Sequence, residues 1–353
     1  MQQIPNLTSL RFFLAILVVI FHIPEFFANR NLPFYNETSI FLRGNESVWM
    51  FFSLSGFLII KQLYNEKLNS NSINLKNFFL KRIYRIFPLY YLVLIYGFIH
   101  YQIILPKIGF TFNNNYNLIE GILLSATFFS NIFLTYSPGG ILEILWSIGI
   151  EEQFYLFIAP LLYFTPFKRI TTILVLVTFI YLVLFTNENF TFLTNYKMYF
   201  FFFTFSGICA ILLEHVDFKS YINWLLYFLI GMYFFTPFLK DFFTENQYLI
   251  FSMLLFGLFL SCLSKKPVAI LQNKTLHYLG TISYGIYMFH AITIQIVGFI
   301  ILKFFPTIEN NIFIITSYSL GIIMLSILMA HLSFKYFESY FLNLKKSLHP
   351  SNR

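Results

Sequence analysis

Apolar stretches long enough to cross a bilayer recur from one end of this chain to the other, separated by turn residues or small groups of charges. Inside hydrocarbon every backbone N–H and C=O must be satisfied within the protein, so runs of about twenty apolar residues point to helices. The expected fold is therefore all-α, a polytopic transmembrane helical bundle. Ten spans are expected, at about 7–27, 47–64, 83–105, 141–165, 170–186, 196–213, 220–236, 248–264, 278–304 and 311–333. No polar stretch between them is long enough for a soluble domain. Residues 1–353 thus read as a single integral-membrane domain with no appended soluble one. Composition agrees: 58% of the residues are hydrophobic and 11% charged, against about 25% charged in soluble domains.

The net charge of +8 does not point to nucleic acid. The basic residues fall in short loops at alternate ends of the expected spans, which is the pattern that orients membrane proteins. With ten spans and a cytoplasmic N-terminus, 17 of the 23 Lys and Arg residues lie inside. The six outside are Arg30, Arg43, Lys107, Lys197, Lys240 and Lys303, and both termini are cytoplasmic. A crossing by the borderline segment 118–135, which carries Glu120 and Asn131, destroys this asymmetry. That segment is therefore expected to lie at the outer face or to be re-entrant. The first span lacks a small-residue cleavage site and holds His22 and Glu25, so it reads as retained rather than as a signal peptide. Cys209 and Cys262 lie far apart in apolar segments and read as packing residues. No internal repeat is visible, which disfavours inverted-repeat transporter folds.

Ionisable residues inside spans are costly and usually mark working sites. Arg11 and His22 share the first span. Their spacing returns to within about 20° of the same helix face and separates them by about 16 Å along the axis. A cation near one surface and an imidazole deeper in read as the entrance and the centre of a transmembrane active site. Arg82 and Arg85 share a face at the inner mouth of the third span, with Lys81 beside them. Paired guanidiniums suit forked binding of phosphate oxygens, and membrane anchoring is the plainer alternative. Glu151 and Glu152 fall inside the fourth span and project about 100° apart, so both cannot face one partner squarely. They serve chemistry, or they tie helices together through an ion pair. Glu25 can orient His22 or sit solvated at the outer lip. His290 lies mid-span, where a packing role is the usual one. Glu338 lies just past the last span, where a surface charge beside Lys335 is the plain reading. His100, His215, His277, His331 and His349 show no metal-ligand spacing, and neither a Gly-rich phosphate loop nor a Gly-x-Ser-x-Gly elbow occurs, so no metal site is expected.

Taken in order, these segments resemble the acyltransferase 3 family of membrane O-acyltransferases. The resemblance rests on Arg11-x10-His22, FFSLSGFLI at 51–59, the RIYRIFPLYYL block carrying Arg82 and Arg85, LWSIGIEEQFYL at 145–156, LGTISYGIYMFH at 279–290 and YFES at 336–339. Each motif alone is weak, but six in sequence from about residue 4 to about 345 are specific. The resemblance implies transfer of an acyl group, usually acetyl, from cytoplasmic acyl-CoA to a sugar hydroxyl on the far side of the cell inner membrane. Carried over by position, it makes His22 the catalytic residue. It makes Arg82 and Arg85 the arginine pair at the CoA entrance, with Arg11 assisting. Glu151 and Glu152, taken as further catalytic candidates, match family positions, as do Glu338 and His290, without a separate task for each. Some members carry a soluble esterase-like domain after the spans. This sequence stops at Arg353, so no handover to such a domain is expected.

On this reading the arginines hold the CoA phosphates while the thioester reaches His22. The imidazole then deprotonates the incoming hydroxyl as a general base, or takes the acyl group itself and passes it on. No permanently bound cofactor is expected. The expected partners are acyl-CoA (acetyl-CoA), a glycan acceptor such as lipopolysaccharide or another polysaccharide, and membrane lipid. Three competing functions stand beside this one. A transporter or flippase of a lipid-linked sugar needs no acyl-CoA. A glycan polymerase or ligase calls for a long outer loop, and the outer loops here are short. An acyl-binding sensor with an inactive site shows no turnover.

Overall fold

The computed structural model describes residues 5–110, 115–305 and 311–348. His349 and Arg353, which belong to the expected cytoplasmic C-terminus, lie outside the described residues. Every long element is an α-helix, and no strand occurs among the described residues. The helices are α1 (Pro5–Ala28), α2 (Gly44–Ser70), α3 (Leu75–Ile99), α4 (Leu118–Ala126), α5 (Trp146–Phe164), α6 (Ile170–Thr186), α7 (Phe200–Leu212), α8 (Ser220–Phe235), α9 (Glu245–Leu263), α10 (Lys274–Thr281), α11 (Ser283–Phe304) and α12 (Ile312–Ser333). A π turn over His100–Ile104 carries α3 on to Lys107. Each of the ten expected spans overlaps a helix. Seven helices among the described residues are long and apolar enough to cross a membrane: α1, α2, α3, α6, α9, α11 and α12, three of them with short extensions. Of the remaining three, α7 and α8 are shorter apolar helices, and α5 carries the polar run Glu151-Glu152-Gln153. By length and composition alone, seven of the ten expected spans therefore qualify as crossings.

The paired contacts fix the helix directions. A Cβ built on Gly56 lies 2.1 Å from the Phe203 carbonyl oxygen, and one on Gly207 lies 2.3 Å from Ile60 Cδ1. α2 and α7 therefore run parallel and almost backbone to backbone, the close approach that small residues permit between membrane helices. Ser55 meets Glu151 and Lys67 meets Leu162, so α2 and α5 also run parallel. Phe78 meets Tyr155 with ring centroids 6.1 Å apart, and Gly97 meets Leu142, so α3 and α5 run antiparallel. The connection between them starts and ends at the same end of the bundle. α4 within it has nine residues, about 14 Å, too short to cross. It stops at Phe128, whose backbone is left-handed (φ 63°). The carbonyls freed by this break are taken up by side chains. Tyr90 donates to Ser125 O at 2.7 Å, Tyr91 to Ala126 O at 2.8 Å, and Gln153 to Phe128 O at 2.8 Å. Non-helical backbone at membrane depth needs such partners. Segment 118–135 folds back, as the charge asymmetry requires.

Two cations behave differently from loop charges. Arg43, expected in an outer loop, is buried; it pairs with Glu46 at 3.0 Å and donates to Tyr248 Oη at 3.0 Å and Thr236 O at 2.6 Å, tying α2 to α8 and α9. Lys67 is buried too, and its ammonium donates to Leu162 O at 2.7 Å, Tyr163 O at 2.8 Å and Thr165 O. These are the carbonyls that the end of α5 leaves without helical partners.

The α2–α7 contact leaves no room for a side chain at Gly56. We expect Gly56→Val to cost about 1–3 kcal/mol of stability through overpacking, read as a lower unfolding temperature in detergent. Gly321→Ala, which meets nothing within 4 Å, is expected not to lower that temperature, since alanine favours a helix interior over glycine.

Candidate active site

The candidate site residues, Glu152 apart, gather into two layers. One lies at the end of the bundle where α1 begins, here called the proximal end; the other lies at the distal end of α1. The spacing along α1 places Arg11 in the first and His22 in the second, about 16 Å apart.

The proximal layer is built by α1, α2, α3, α5 and the chain after α12. Arg11 interacts electrostatically with Arg85, Glu151, Tyr155 and Arg82. Arg85 interacts in turn with Glu338. Arg82 donates to Gln62 Oε1 at 3.3 Å and lies over the rings of Phe78 and Tyr155, each 5.5 Å from its guanidinium carbon. Glu151 is held by Ser55, which donates to its Oε1 at 2.6 Å, and by the Tyr155 hydroxyl. Glu338 lies buried in a π turn (Phe334–Glu338) and accepts from Ser333 Oγ at 3.0 Å. Among the described residues, none of the three arginines forms a salt bridge with a carboxylate. Three guanidiniums therefore keep most of their donors for something else, in a layer holding fewer anions than cations. A polyanion fits that surplus.

The distal layer centres on His22. Its Nδ1 lies 3.3 Å from Glu25 Oε2. Its ring stacks on His290 with centroids 5.2 Å apart and planes at 29°. Glu25 is exposed, so it is at once the partner of the imidazole and part of the outer lip. With Nδ1–H assigned to the carboxylate, Nε2 carries the lone pair. His290 is completely buried; its Nδ1 bonds the Tyr287 carbonyl, and its Nε2 has no hydrogen-bond partner. Tyr287 pins this region to α5. Its hydroxyl donates to Ile144 O at 2.8 Å and shares a 2.7 Å hydrogen bond with Ser147 Oγ. Glu143 and Lys197 complete the layer: Glu143 interacts with Glu25, His22 and Lys197. Burial pushes the Lys197 ammonium below its usual range, and the Glu143 and Glu25 carboxylates oppose that shift.

The structure brings Arg11, Arg82, Arg85, Glu151 and Glu338 together, and His22, Glu25 and His290 together. The two adjacent glutamates differ in setting. Glu151 interacts with Arg11 and Arg85 and bonds the Tyr155 hydroxyl, whereas Glu152 is buried with Oε1 unpartnered, interacts with Arg82, and has Tyr90, Tyr91 and Tyr284 as electrostatic neighbours. The sequence singles out none of Ser55, Tyr155, Tyr287, Glu143 and Lys197 as a site residue, although Lys197 counts among the outer cations. Tyr155 and Tyr287 sit four and three residues from Glu151 and His290, on the same faces, a spacing that could have singled them out. Among the described residues, no three His, Cys, Asp or Glu side chains converge as a metal site.

Fold and site together define a multi-pass helical membrane protein with a guanidinium-rich layer at one end and an imidazole pair toward the other. The acyltransferase domain model of the acyltransferase 3 family matches residues 4–331, and the chain belongs to that family. It is a membrane acyltransferase. The chain is 28% identical over 307 residues to the provisionally named acetyltransferase ORF330 of Acidianus two-tailed virus, covering 83% of this chain and 84% of that protein. It is 34% identical over 137 residues to an uncharacterized protein of Haemophilus influenzae, covering 36% of this chain and 52% of that protein. It is 28% identical over 165 residues to the peptidoglycan O-acetyltransferase OatA of Listeria monocytogenes, covering 44% of this chain and 23% of that protein. No solved structure matches.

The Ser147–Tyr287 bond is the described link between α5 and the helix carrying His290. We expect Ser147→Ala and Tyr287→Phe each to cost about 1 kcal/mol of stability. The double variant is expected to lose less than the sum of the two, measured as unfolding temperatures in a double-mutant cycle.

Proposed function

We propose that this protein moves an acetyl group from acetyl-CoA, bound at the proximal layer, to a hydroxyl of a cell-surface glycan or its lipid-linked precursor at the distal layer. The observation that carries this reading is the placement of Arg11 and His22 on one face of α1, each joined by groups suited to its end: guanidiniums for a polyphosphate, carboxylate and imidazole for a hydroxyl. The proximal end then faces the cytoplasm, where acyl-CoA is made, and the bundle lies in the cytoplasmic membrane with both termini inside. Names of relatives support the acetyl group and the glycan, since one is called a peptidoglycan O-acetyltransferase.

In the proposed step, Arg82, Arg85 and Arg11 hold the CoA phosphates and the pantetheine arm runs along α1. Glu25 keeps Nδ1 of His22 protonated, so Nε2 removes the proton from the acceptor hydroxyl. The hydroxyl oxygen bonds to the acyl carbon, the C–S bond breaks, and the proton passes to the departing thiolate. Glu151, fixed by Ser55 and Tyr155, sets the charge and position of the arginines rather than meeting the acyl group. A sugar exporter needs no acyl-CoA, and its substrate leaves chemically unchanged.

His22→Ala is expected to lower transfer by about 100-fold or more while the protein still inserts and accumulates. Ester-linked acetate on the cell's glycans, measured by mass spectrometry, checks this; undiminished ester overturns the role of His22. Arg82→Ala and Arg85→Ala are each expected to raise the KM for acetyl-CoA by about 10- to 100-fold, the loss of a charge-assisted hydrogen bond to phosphate. An unchanged KM in both overturns the phosphate-holding role.

A further inference from the structure

Lys197 occupies a position where the backbone favours glycine. It follows the short helix Phe192–Asn195, and its own N–H and that of Met198 bond back to Thr194 O at 3.1 Å and Leu193 O at 2.9 Å. Its φ is +52°. Glycine or asparagine usually fills such a helix end, because a Cβ there is crowded. A lysine in this place keeps its side chain at a cost in backbone strain, and that side chain has a defined seat. Its Nζ lies 4.9 Å from the centre of the Trp146 ring, and it interacts with Glu143 and Glu25.

Glu143 is fixed as firmly, one helical turn before Trp146 on the same face. The turn that presents it starts at Gly139, whose φ is +101° and where a Cβ would lie 2.4 Å from the Tyr101 ring. The Tyr101 hydroxyl accepts from Ile141 N at 3.0 Å, and Glu143 Oε1 accepts from Gly139 N at 3.3 Å. Two segments distant in sequence thus hold a carboxylate that interacts with His22 and a cation that interacts with that carboxylate and with Glu25, and both do so through constrained backbone. Strain of this kind, over-determined by its surroundings, is typical of positions that serve a site.

We propose that Glu143 and Lys197 are positioning residues for His22: Lys197 offsets the two carboxylates facing the imidazole, so that Glu25 stays on Nδ1 and the ring stays free to accept a proton. This rests on the reading of His22 as the reacting imidazole. The groups that interact with His22 are Glu25 on its own helix, His290 on α11 and Glu143 before α5, and Lys197 before α7 interacts with both carboxylates. His290 is buried and brings no partner charge, so the balance is one cation against two carboxylates. Removing the cation leaves both carboxylates to attract a proton onto the ring, and a protonated imidazole cannot act as a base. Removing Glu143 instead has the opposite sign.

The test uses the full chain in membrane vesicles from expressing cells, with radiolabelled acetyl-CoA and the acceptors those membranes contain. Label in alkali-labile ester is followed against pH. Lys197→Met is expected to lower the maximal rate at neutral pH, to move the acid limb of the rate profile up by about 0.5–1 pH unit, and to leave the KM for acetyl-CoA unchanged. Glu143→Gln is expected to move the acid limb down. Lys197→Arg restores most of the rate. Lys197→Gly relieves the left-handed backbone, so its unfolding temperature is expected to equal or exceed that of the wild type while its rate profile matches Lys197→Met. An acid limb that stays in place in Lys197→Met and Glu143→Gln, or a wild-type rate in Lys197→Gly, overturns the proposal. If His22→Ala remains active, the underlying reading fails instead; if His22→Ala is inactive and Lys197→Met is indistinguishable from the wild type, only this proposal fails.

Discussion

The cost of exposing a guanidinium to hydrocarbon organises this bundle. Arg11, Arg82 and Arg85 lie on helices that must pass through an apolar medium, and a cation there needs protein or water around it. The solution seen here turns all three toward one another and toward Glu151 and Glu338. Three like charges in one place repel. The layer tolerates this through aromatic faces at Phe78 and Tyr155 and through carboxylates set near enough to interact. Those carboxylates are themselves occupied, Glu151 by Ser55 and Tyr155, and Glu338 by Ser333. What is left is a surplus of guanidinium donors facing inward, a natural seat for a ligand rich in phosphate.

The remainder of the fold serves to bring that layer and the imidazole pair onto one axis. Gly56 and Gly207 let α2 and α7 approach almost to backbone contact, while Ser55, next to Gly56, meets Glu151 on α5. The Tyr287 hydroxyl, bonded to Ser147, clips α11 to α5 near His290. The break at Phe128 lets the 118–135 segment fold back beside α3 and α5, and Tyr90, Tyr91 and Gln153 absorb the backbone groups that the break releases. In water such a break is harmless; at membrane depth it persists only because specific side chains reach it.

Much of this was legible in the sequence. Apolar runs locate the helices because hydrocarbon punishes any departure from helical hydrogen bonding. The Arg11–His22 spacing and the Arg82–Arg85 spacing gave their shared faces because helix geometry is regular. Charge asymmetry identified 118–135 as the segment that does not cross, although its hydropathy is ambiguous. Other features depend on tertiary neighbours. Arg43 reads as a loop charge, yet it is buried because Glu46, Tyr248 and Thr236 come from three separate helices or their ends. His290 reads as packing, because only the fold reveals that it stacks on His22. Lys197 and Glu143 are single charges near expected span ends with no periodic relation to His22, so no spacing rule selects them.

The central claim is that a donor held by guanidiniums at the proximal layer delivers its acyl carbon to His22 about three helical turns away. A structure of the protein with a non-hydrolysable thioether analogue of acetyl-CoA tests this most directly. The account predicts phosphate density on Arg82 and Arg85 and the acyl carbon within about 4 Å of His22 Nε2. Phosphates bound at another part of the bundle, or an acyl group that ends away from that imidazole, would contradict it.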